Sequence, residues 1–430
     1  MNKYLKNILE DNKELSGWKL KDIQTQSTEV FLVRKNINMI RNKKVHDMEL
    51  TVYTESENGK YIGSASIFLY DTMTEPELKD AVNNAIQSSK LVKNEYYSIA
   101  QPQEFIPVKL DSYFDHKSNE QAVKDIMDAL YFKDTKQDVY INSCEIFLEK
   151  TQKILFNSNG IEYKEDSNKC YIEYVITARS NGDEIELIDK VEFSDFNKTF
   201  IENLIEDKFE IAMMRLKSVN TPNLVSCDVI LRDNAVKDFF GYYIYKANAM
   251  AIYEKTSDFV VGKNAVKNSL SDKLSITLDP YIAGSTFSSQ FDDDGVLLKK
   301  TQILKDGVVE KIWGNLRFSQ YVNTQCTGNI SNFCVTPGKS SYKEMICGKI
   351  LEIHAFSDFQ LDEVTGDFGG EIRLAYLHED GGMKVLTGGS ISGNINFEEC
   401  SVILSEETVQ INNYFGPKYI KLTNVSVTGE

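Results

Sequence analysis

Between Arg232 and Lys263 the chain reads RDNAVKDFFGYYIYKANAMAIYEKTSDFVVGK, with four aromatic residues crowded into Phe239–Tyr243 and Tyr245 close behind. Val236, Phe240, Tyr243, Ala247 and Ala251 recur at three- or four-residue spacing, which draws one apolar stripe along a helix. Asp233 or Asn234 can cap it, because a short side-chain oxygen accepts from an unpaired N–H of the first turn. The spacing predicts one long helix from Asp233, followed by a turn before Lys263. Aromatic residues are middling helix formers, so packing rather than local propensity must hold it. The stretch contains neither histidine nor cysteine.

A chain of 430 residues with 42% hydrophobic residues can bury a sizeable core and is expected to form two or three domains. No apolar run is long enough for a membrane helix. The opening MNKYLKNILEDNKELSGW carries charges throughout and no small-residue cleavage site, so a cytoplasmic protein is expected. Acidic residues outnumber basic ones 64 to 48, for a net charge of −16, and no basic cluster overrides that balance. Nucleic acid is therefore disfavoured as a direct ligand. The seven cysteines (144, 170, 227, 326, 334, 347 and 400) are odd in number and contain no C-x-x-C pair. They read as free thiols rather than a disulfide framework or zinc knuckle.

The first half reads as α+β, strands with helices laid on them. A first module, about 1–100, has a helix over 3–13 and strands over Lys19–Thr25, Glu29–Arg34, Met48–Thr54 and Tyr61–Tyr70. Glu57-Asn58-Gly59 supplies a hairpin turn, and a Thr74–Glu77 capping box opens a helix with Leu78, Ala81, Val82, Ala85 and Ile86 inward. A second module, 101–217, has a capping box at Ser118–Gln121 and a helix through Tyr131. Its strands are Glu145–Glu149, Lys153–Asn157, Tyr171–Ala178 and Glu184–Phe193, and a helix from about Lys198 to Lys217 closes it. The polar Ser218–Asn223 is the expected boundary. The second half, 224–430, is strand-rich with glycine turns. It opens with a Cys227–Leu231 strand and has a hairpin at Asp306-Gly307 and a helical turn at Leu316–Tyr321. Further strands are expected at Gly348–Ala355, Ile372–Leu377, Lys384–Leu386, Ser401–Ile403 and Tyr419–Val427, with tight turns at Gly381-Gly382 and Gly388-Gly389.

Chemistry-bearing motifs are scarce. Asp292-Asp293-Asp294-Gly295 suggests a calcium loop, but the alternate oxygen ligands and the closing glutamate are missing, so an acidic turn is the better reading. His378-Glu379 begins like H-E-x-x-H but continues Asp380-Gly381-Gly382, which opposes a helix. His354 alternates within a strand and reads as structural, although an approach of His354 to His378 stays open. No phosphate-cradling loop, G-x-S-x-G elbow or Cys–His pairing is visible.

The second half resembles the TldD/PmbA family, once called modulators of DNA gyrase and regarded as subunits of a peptide-processing zinc metalloprotease. The matching residues run in family order. They are Gly284-Ser285, Phe291–Val296, Thr301, Ile303, Lys305–Val308, Thr327–Asn329, Ser331–Gly338, Val364–Phe368, Ile391–Asn394, Phe415–Pro417 and Val425–Gly429. The first half is similar more loosely, at Glu49–Tyr53, Gly59, Ile62–Ala65 and the helix after Thr74. In the family's TldD kind, H-E-x-x-x-H lies on a helix in the place of the aromatic stretch. Its histidines and a C-terminal cysteine hold zinc, and the glutamate activates water. Zinc needs such ligands within about 2.0–2.3 Å. An i, i+5 pair lies about 140° apart around a regular helix, so that helix must be distorted.

Here those positions are Gly241-Tyr242-Tyr243-Ile244-Tyr245-Lys246. Gly241 has no ligand atom, Tyr242 is no carboxylate and Lys246 brings a cation. Asn412–Lys418 lacks the family's cysteine, and Cys400 lies too early to replace it. The resemblance therefore implies the PmbA/TldE kind of subunit, without catalytic or metal residues of its own and with zinc on a TldD-like partner in a heterodimer. Phe240, Tyr243, Tyr245, Asp292, Asp293, Asp294, Gly295, Gly366 and Asp367 become candidates for a peptide-admitting cavity or the dimer interface; for the aromatic helix, plain core is the competing reading. Two other readings stay open. One is a stand-alone metallopeptidase or amidase using His354, His378 and acidic neighbours. The other is a homodimeric peptide-binding module without a protease partner.

Overall fold

A computed structural model describes residues 3–108, 110–266, 271–379, 382–397 and 400–429. The architecture is α+β. Its N-terminal part is one seven-stranded antiparallel sheet in the order Asn94–Glu95, Tyr61–Leu69, Asn36–Ser56, Gly17–Val33, Val139–Asn157, Glu162–Ser180 and Asp183–Phe193. The expected short strands merge. Lys19–Thr25 and Glu29–Arg34 belong to one 17-residue strand, and Glu145–Glu149 and Lys153–Asn157 to one of 19. The polar stretch Gln24–Thr28 brings no apolar side chain to bury. It stays extended because a neighbouring strand on each side pairs its backbone groups. Pairing of Gly17–Val33 with Val139–Asn157 places both groups of N-terminal strands in one sheet.

Alternation sorts the two faces of this sheet. Trp18, Leu20, Leu50 and Val52 point toward Leu5, Leu9, Leu78, Val82 and Ile86 of the first two helices, Lys3–Asp11 and Glu75–Ser89. Farther along, Val30, Ile146, Ile172 and Ile176 meet Val123 and Ile126 of helix Asn119–Leu130 and Ile201 and Ile205 of helix Lys198–Arg215. The other register, with Lys19, Lys21, Lys153 and Leu155, faces the C-terminal half. The Thr74 capping box forms, its Glu77 carboxylate accepting from the Thr74 N–H at 2.8 Å. At Ser118 only the forward half forms, from the Gln121 N–H at 3.2 Å.

The C-terminal half has a mixed eight-stranded sheet and a six-stranded sheet. The first is centred on Leu224–Arg232, Tyr419–Thr428 and Ile350–Leu361, and Val219–Asn220 joins its edge beside Leu386–Thr387. The second runs from Val308–Val309 through Ile276–Leu278 and Phe333–Val335 to Thr408–Ile411. Asp306 and Gly307 take positive φ at the expected hairpin, and Leu316–Tyr321 is helical. Gly388 and Gly389 also take positive φ at their expected turn. Of the turn at Gly381-Gly382, Asp380 and Gly381 lie outside the described residues. No helix among the described residues is long and apolar enough to cross a membrane.

The aromatic stretch lies between these sheets, and it is not one helix. It forms three short ones, Asn234–Phe239, Gly241–Lys246 and Ala249–Tyr253. The decisive break is at Asn248, which turns extended (ψ 137°) and caps the Met250 N–H with its own Oδ1 at 2.8 Å. Backbone bonds between Ala247, Ala249 and Trp313 hold the break open. The expected capping at Asp233 is also absent: its φ is 55°, and its carboxylate accepts from the Arg232 guanidinium at 3.0 Å instead.

Candidate functional site

The helix Gly241–Lys246 carries the positions that the resemblance aligns with the zinc motif. Phe239, Phe240, Tyr242 and Tyr243 are buried in the C-terminal core with Ile276, Phe333, Leu351 and Tyr414. Phe240 and Tyr243 are thus core residues, not walls of a cavity or an exposed interface. Tyr245 is half-buried, its hydroxyl 2.8 Å from Thr256 Oγ1.

The Tyr242 hydroxyl donates to Asn396 Oδ1 at 3.1 Å. The Asn396 amide in turn donates to the Thr365 carbonyl at 3.0 Å, within the turn that carries Gly366 and Asp367. Gly366 takes φ 82° there, and Asp367 accepts from Asn394 at 2.6 Å. Lys246 is buried. Its ammonium donates to the Thr256 carbonyl at 2.8 Å, lies 3.8 Å from Asp258 and sits 5.6 Å from the centre of the Tyr242 ring.

These residues do not fit zinc. A glycine, a phenol already donating to an amide oxygen and a buried ammonium offer neither imidazole nor thiolate. The Asn412–Lys418 segment, which lacks the family's cysteine, packs here too, through Tyr414 stacked on Phe240 at 6.0 Å between ring centres. Cys400 is buried in the same core, and burial pushes its thiol up to about 11.

Gly241 opens on a hollow. Lys237, Asp238, Gly241, Phe333, Phe359 and Glu363 line a cleft of about 450 Å³. A Cβ on Gly241 would stand 3.2 Å from Glu363 Oε1. Burial raises the carboxyl pKa of both Asp238 and Glu363, and Asp362 adds to the effect at Glu363. Neither carboxylate was singled out by the sequence. Asp238 falls between residues of the apolar helical stripe, and Glu363 reaches Gly241 only through the tertiary fold.

Asp292–Gly295 lies elsewhere, on the sheet face that carries the lysines. Lys19 Nζ is 2.5 Å from Asp294, and Asp293 is 2.8 Å from Lys21 and 3.0 Å from Lys153. Asp292 accepts from the N–H groups of Asp294, Val296 and Asn329 at 2.9–3.0 Å. Burial, reinforced by Asp294, lifts its pKa to about 6. Asp293 is also penalised by burial, but Lys153 and Lys21 outweigh this and hold it at about 2. The loop is an acidic turn that clasps the N-terminal sheet.

His354 and His378 do approach each other, around one buried carboxylate. Glu352 Oε2 is 3.0 Å from His378 Nε2 and 2.8 Å from the Tyr342 hydroxyl, while Oε1 is 3.3 Å from His354 Nε2. Arg232 lies 2.7 Å from His354 Nδ1. A guanidinium only donates, so Nδ1 accepts and a neutral His354 carries its proton on Nε2, toward Glu352. Both imidazoles therefore point at the same carboxylate with a fixed cation alongside, an ion-pair cluster rather than a metal centre. Among the described residues no group of three or more His, Cys, Asp or Glu side chains is arranged to hold a metal ion.

Residues 225–429 match the family model of the PmbA/TldA metallopeptidase C-terminal domain. An uncharacterized protein of Methanocaldococcus jannaschii is 20% identical over 327 residues, covering 71% of this chain and 74% of that protein. Among solved structures, TldE from Thermococcus kodakarensis superposes with a TM-score of 0.80 at 17% identity, covering 99% of this chain and all of the other. A protein described as a modulator of DNA gyrase from Bacteroides thetaiotaomicron gives 0.78 at 16% identity, covering 99% and 97%. A similarly described protein from Thermotoga maritima gives 0.75 at 16%, covering 96% of each. At these identities the structural likeness is one of fold.

Proposed function

By its C-terminal domain this chain belongs to the PmbA/TldD family, and from that premise we propose that it is the subunit that holds no zinc. It would pair with a TldD-like, zinc-bearing protein and help shape the chamber that admits unfolded peptides.

The observation that supports this reading is the state of Lys246. A cation tied to the Thr256 carbonyl occupies a position where the resemblance calls for a histidine ligand. A TldE structure shares the fold over nearly the whole chain. The open cleft at Gly241 and its two carboxylates are then the part of this chain that peptide or partner would meet. The Asp292–Gly295 clasp would hold the N-terminal sheet in place around it.

Co-expression with a TldD-like protein from the same genome tests the pairing. A complex stable through gel filtration is expected, with hydrolysis of an unfolded peptide that depends on both chains and stops when a chelator strips the partner's zinc. Failure to co-purify, or equal hydrolysis with and without this chain, would sink the reading.

A further inference from the structure

Asp238 and Phe359 line not only the cleft at Gly241 but also an adjoining hollow of about 430 Å³. This second hollow lies between the edge strand Asp183–Phe193, the end of helix Lys198–Arg215 and the strand Ile350–Leu361. Most of its charged groups are already matched. Lys208 is 2.8 Å from Asp189, and Arg232 reaches Asp207, Asp233 and His354. Glu186 accepts from Asn142 at 3.3 Å and Asp358 from Gln360 at 2.7 Å.

Among its cations Arg215 is the exception, and of its carboxylates Asp238 too has no partner among the described residues. It ends its helix half-buried, and among the described residues its guanidinium has no hydrogen bond or ion pair. Arg373 stands at the rim of the same hollow, 45% exposed, 3.1 Å from Ser357 Oγ and 3.3 Å from Glu371. Burial and the nearby Arg373 charge both lower the proton affinity of Arg215. Two guanidinium groups sharing a hollow, one of them half-desolvated and unpaired, repel each other until an anion stands between them. Their planar forks match the two oxygens of a carboxylate.

We propose that Arg215 and Arg373 bind the C-terminal carboxylate of an extended peptide whose preceding residues lie along the cleft at Gly241. This inference rests on the reading of the chain as part of a peptide-processing complex. The free main-chain carboxylate then sets where a peptide end stops, without demanding any particular side chain.

The test uses an N-terminally labelled, unstructured octapeptide free of Asp and Glu, made with either a C-terminal carboxylate or a carboxamide. Binding is followed by fluorescence anisotropy to the full chain, alone and with its TldD-like partner. The carboxylate form should bind about tenfold more tightly. Arg215→Gln and, separately, Arg373→Gln should bring the two peptides to equal affinity, with melting curves showing that each variant folds. Equal binding of both peptides to the unaltered chain, a preference that survives both substitutions, or no binding of either peptide would each overturn the proposal. Co-purification with the TldD-like partner is read separately, so the subunit reading stands or falls on its own result.

Discussion

Glu352 is 1% exposed, and an unpaired carboxylate there would be strongly disfavoured. Burial opposes its charge, yet His354, His378 and Tyr342 outweigh burial and hold its pKa at about 2 rather than 4.5. The sign of the linkage follows. The unfolded chain takes up the proton first as pH falls, so the stability this group contributes is full above about 4.5 and is lost on the way to 2. That difference is worth about 3 kcal/mol. Glu352→Gln removes the charge that Tyr342 and His378 donate to and that His354 faces, and should cost about 2–4 kcal/mol at pH 7. It should also flatten the loss of stability between pH 4.5 and 2. Urea titrations at pH 7 and pH 3 check both, and an unchanged acid slope would show that the cluster is not the source. The motif helix supports a second prediction at this scale. Writing the family's motif back as Gly241→His, Tyr242→Glu and Lys246→His should not create a zinc site, because the Asn412–Lys418 segment supplies no cysteine and the new glutamate would be buried. Elemental analysis after gel filtration should find no stoichiometric zinc; one zinc per chain would refute this.

The Phe291–Val296 loop shows how one element joins the two halves. Gly295 has φ +85°, and a Cβ there would stand 2.8 Å from Ile161 Cδ1 and 3.2 Å from Leu155 Cδ2. Those are flexible side-chain ends that can give way, so the positive φ sets most of the penalty. Gly295→Ala should cost about 1–2 kcal/mol, read as a lower urea midpoint at unchanged slope. No loss would mean that the loop tolerates another path. Elements built from local signals were legible in the sequence: the Thr74 capping box, the Glu57–Gly59 and Asp306–Gly307 turns, the helix at Leu316–Tyr321. In the site, that Gly241, Tyr242 and Lys246 are unsuited to zinc was legible because it follows from what each side chain lacks or carries. What needed partners far along the chain was not. Asn248 breaks the aromatic helix by bonding through its neighbours to Trp313, and nothing in the stripe of apolar spacing marks that. The polar Gln24–Thr28 stretch stays extended because strands on both sides claim its backbone. The Glu352 cluster draws its groups from four separate segments, and the hollow at Arg215 from five.

At the scale of the molecule, an apolar anchor with a polar rim joins the halves, beside further contacts such as Tyr97 on Tyr321 and Arg232 with Asp207. Phe291, fully buried, inserts among Ala100, Leu155, Ile161 and Tyr163 of the N-terminal half, with Phe105 edge-on at 5.7 Å. Around it stand the pairs of Lys19 with Asp294 and of Lys21 and Lys153 with Asp293. Asp293 is 57% exposed, so solvent screens its pairs and salt weakens them further. Within this contact, the anchor then supplies more of the coupling than the rim. Phe291→Ala should remove about 3–5 kcal/mol and, more tellingly, separate the unfolding of the two halves. The chain supplies its own reporters, because its two tryptophans, Trp18 and Trp313, lie one on each side. Fluorescence of Trp18 alone, in a Trp313→Phe background, and of Trp313 alone, in a Trp18→Phe background, should give coincident urea transitions when Phe291 is present. With Phe291→Ala the two transitions should part, marking a boundary near Ser218–Asn223. Transitions that stay coincident in the Phe291→Ala chain would mean that the sheets fold as one cooperative unit without the anchor, coupled by the remaining contacts between the halves.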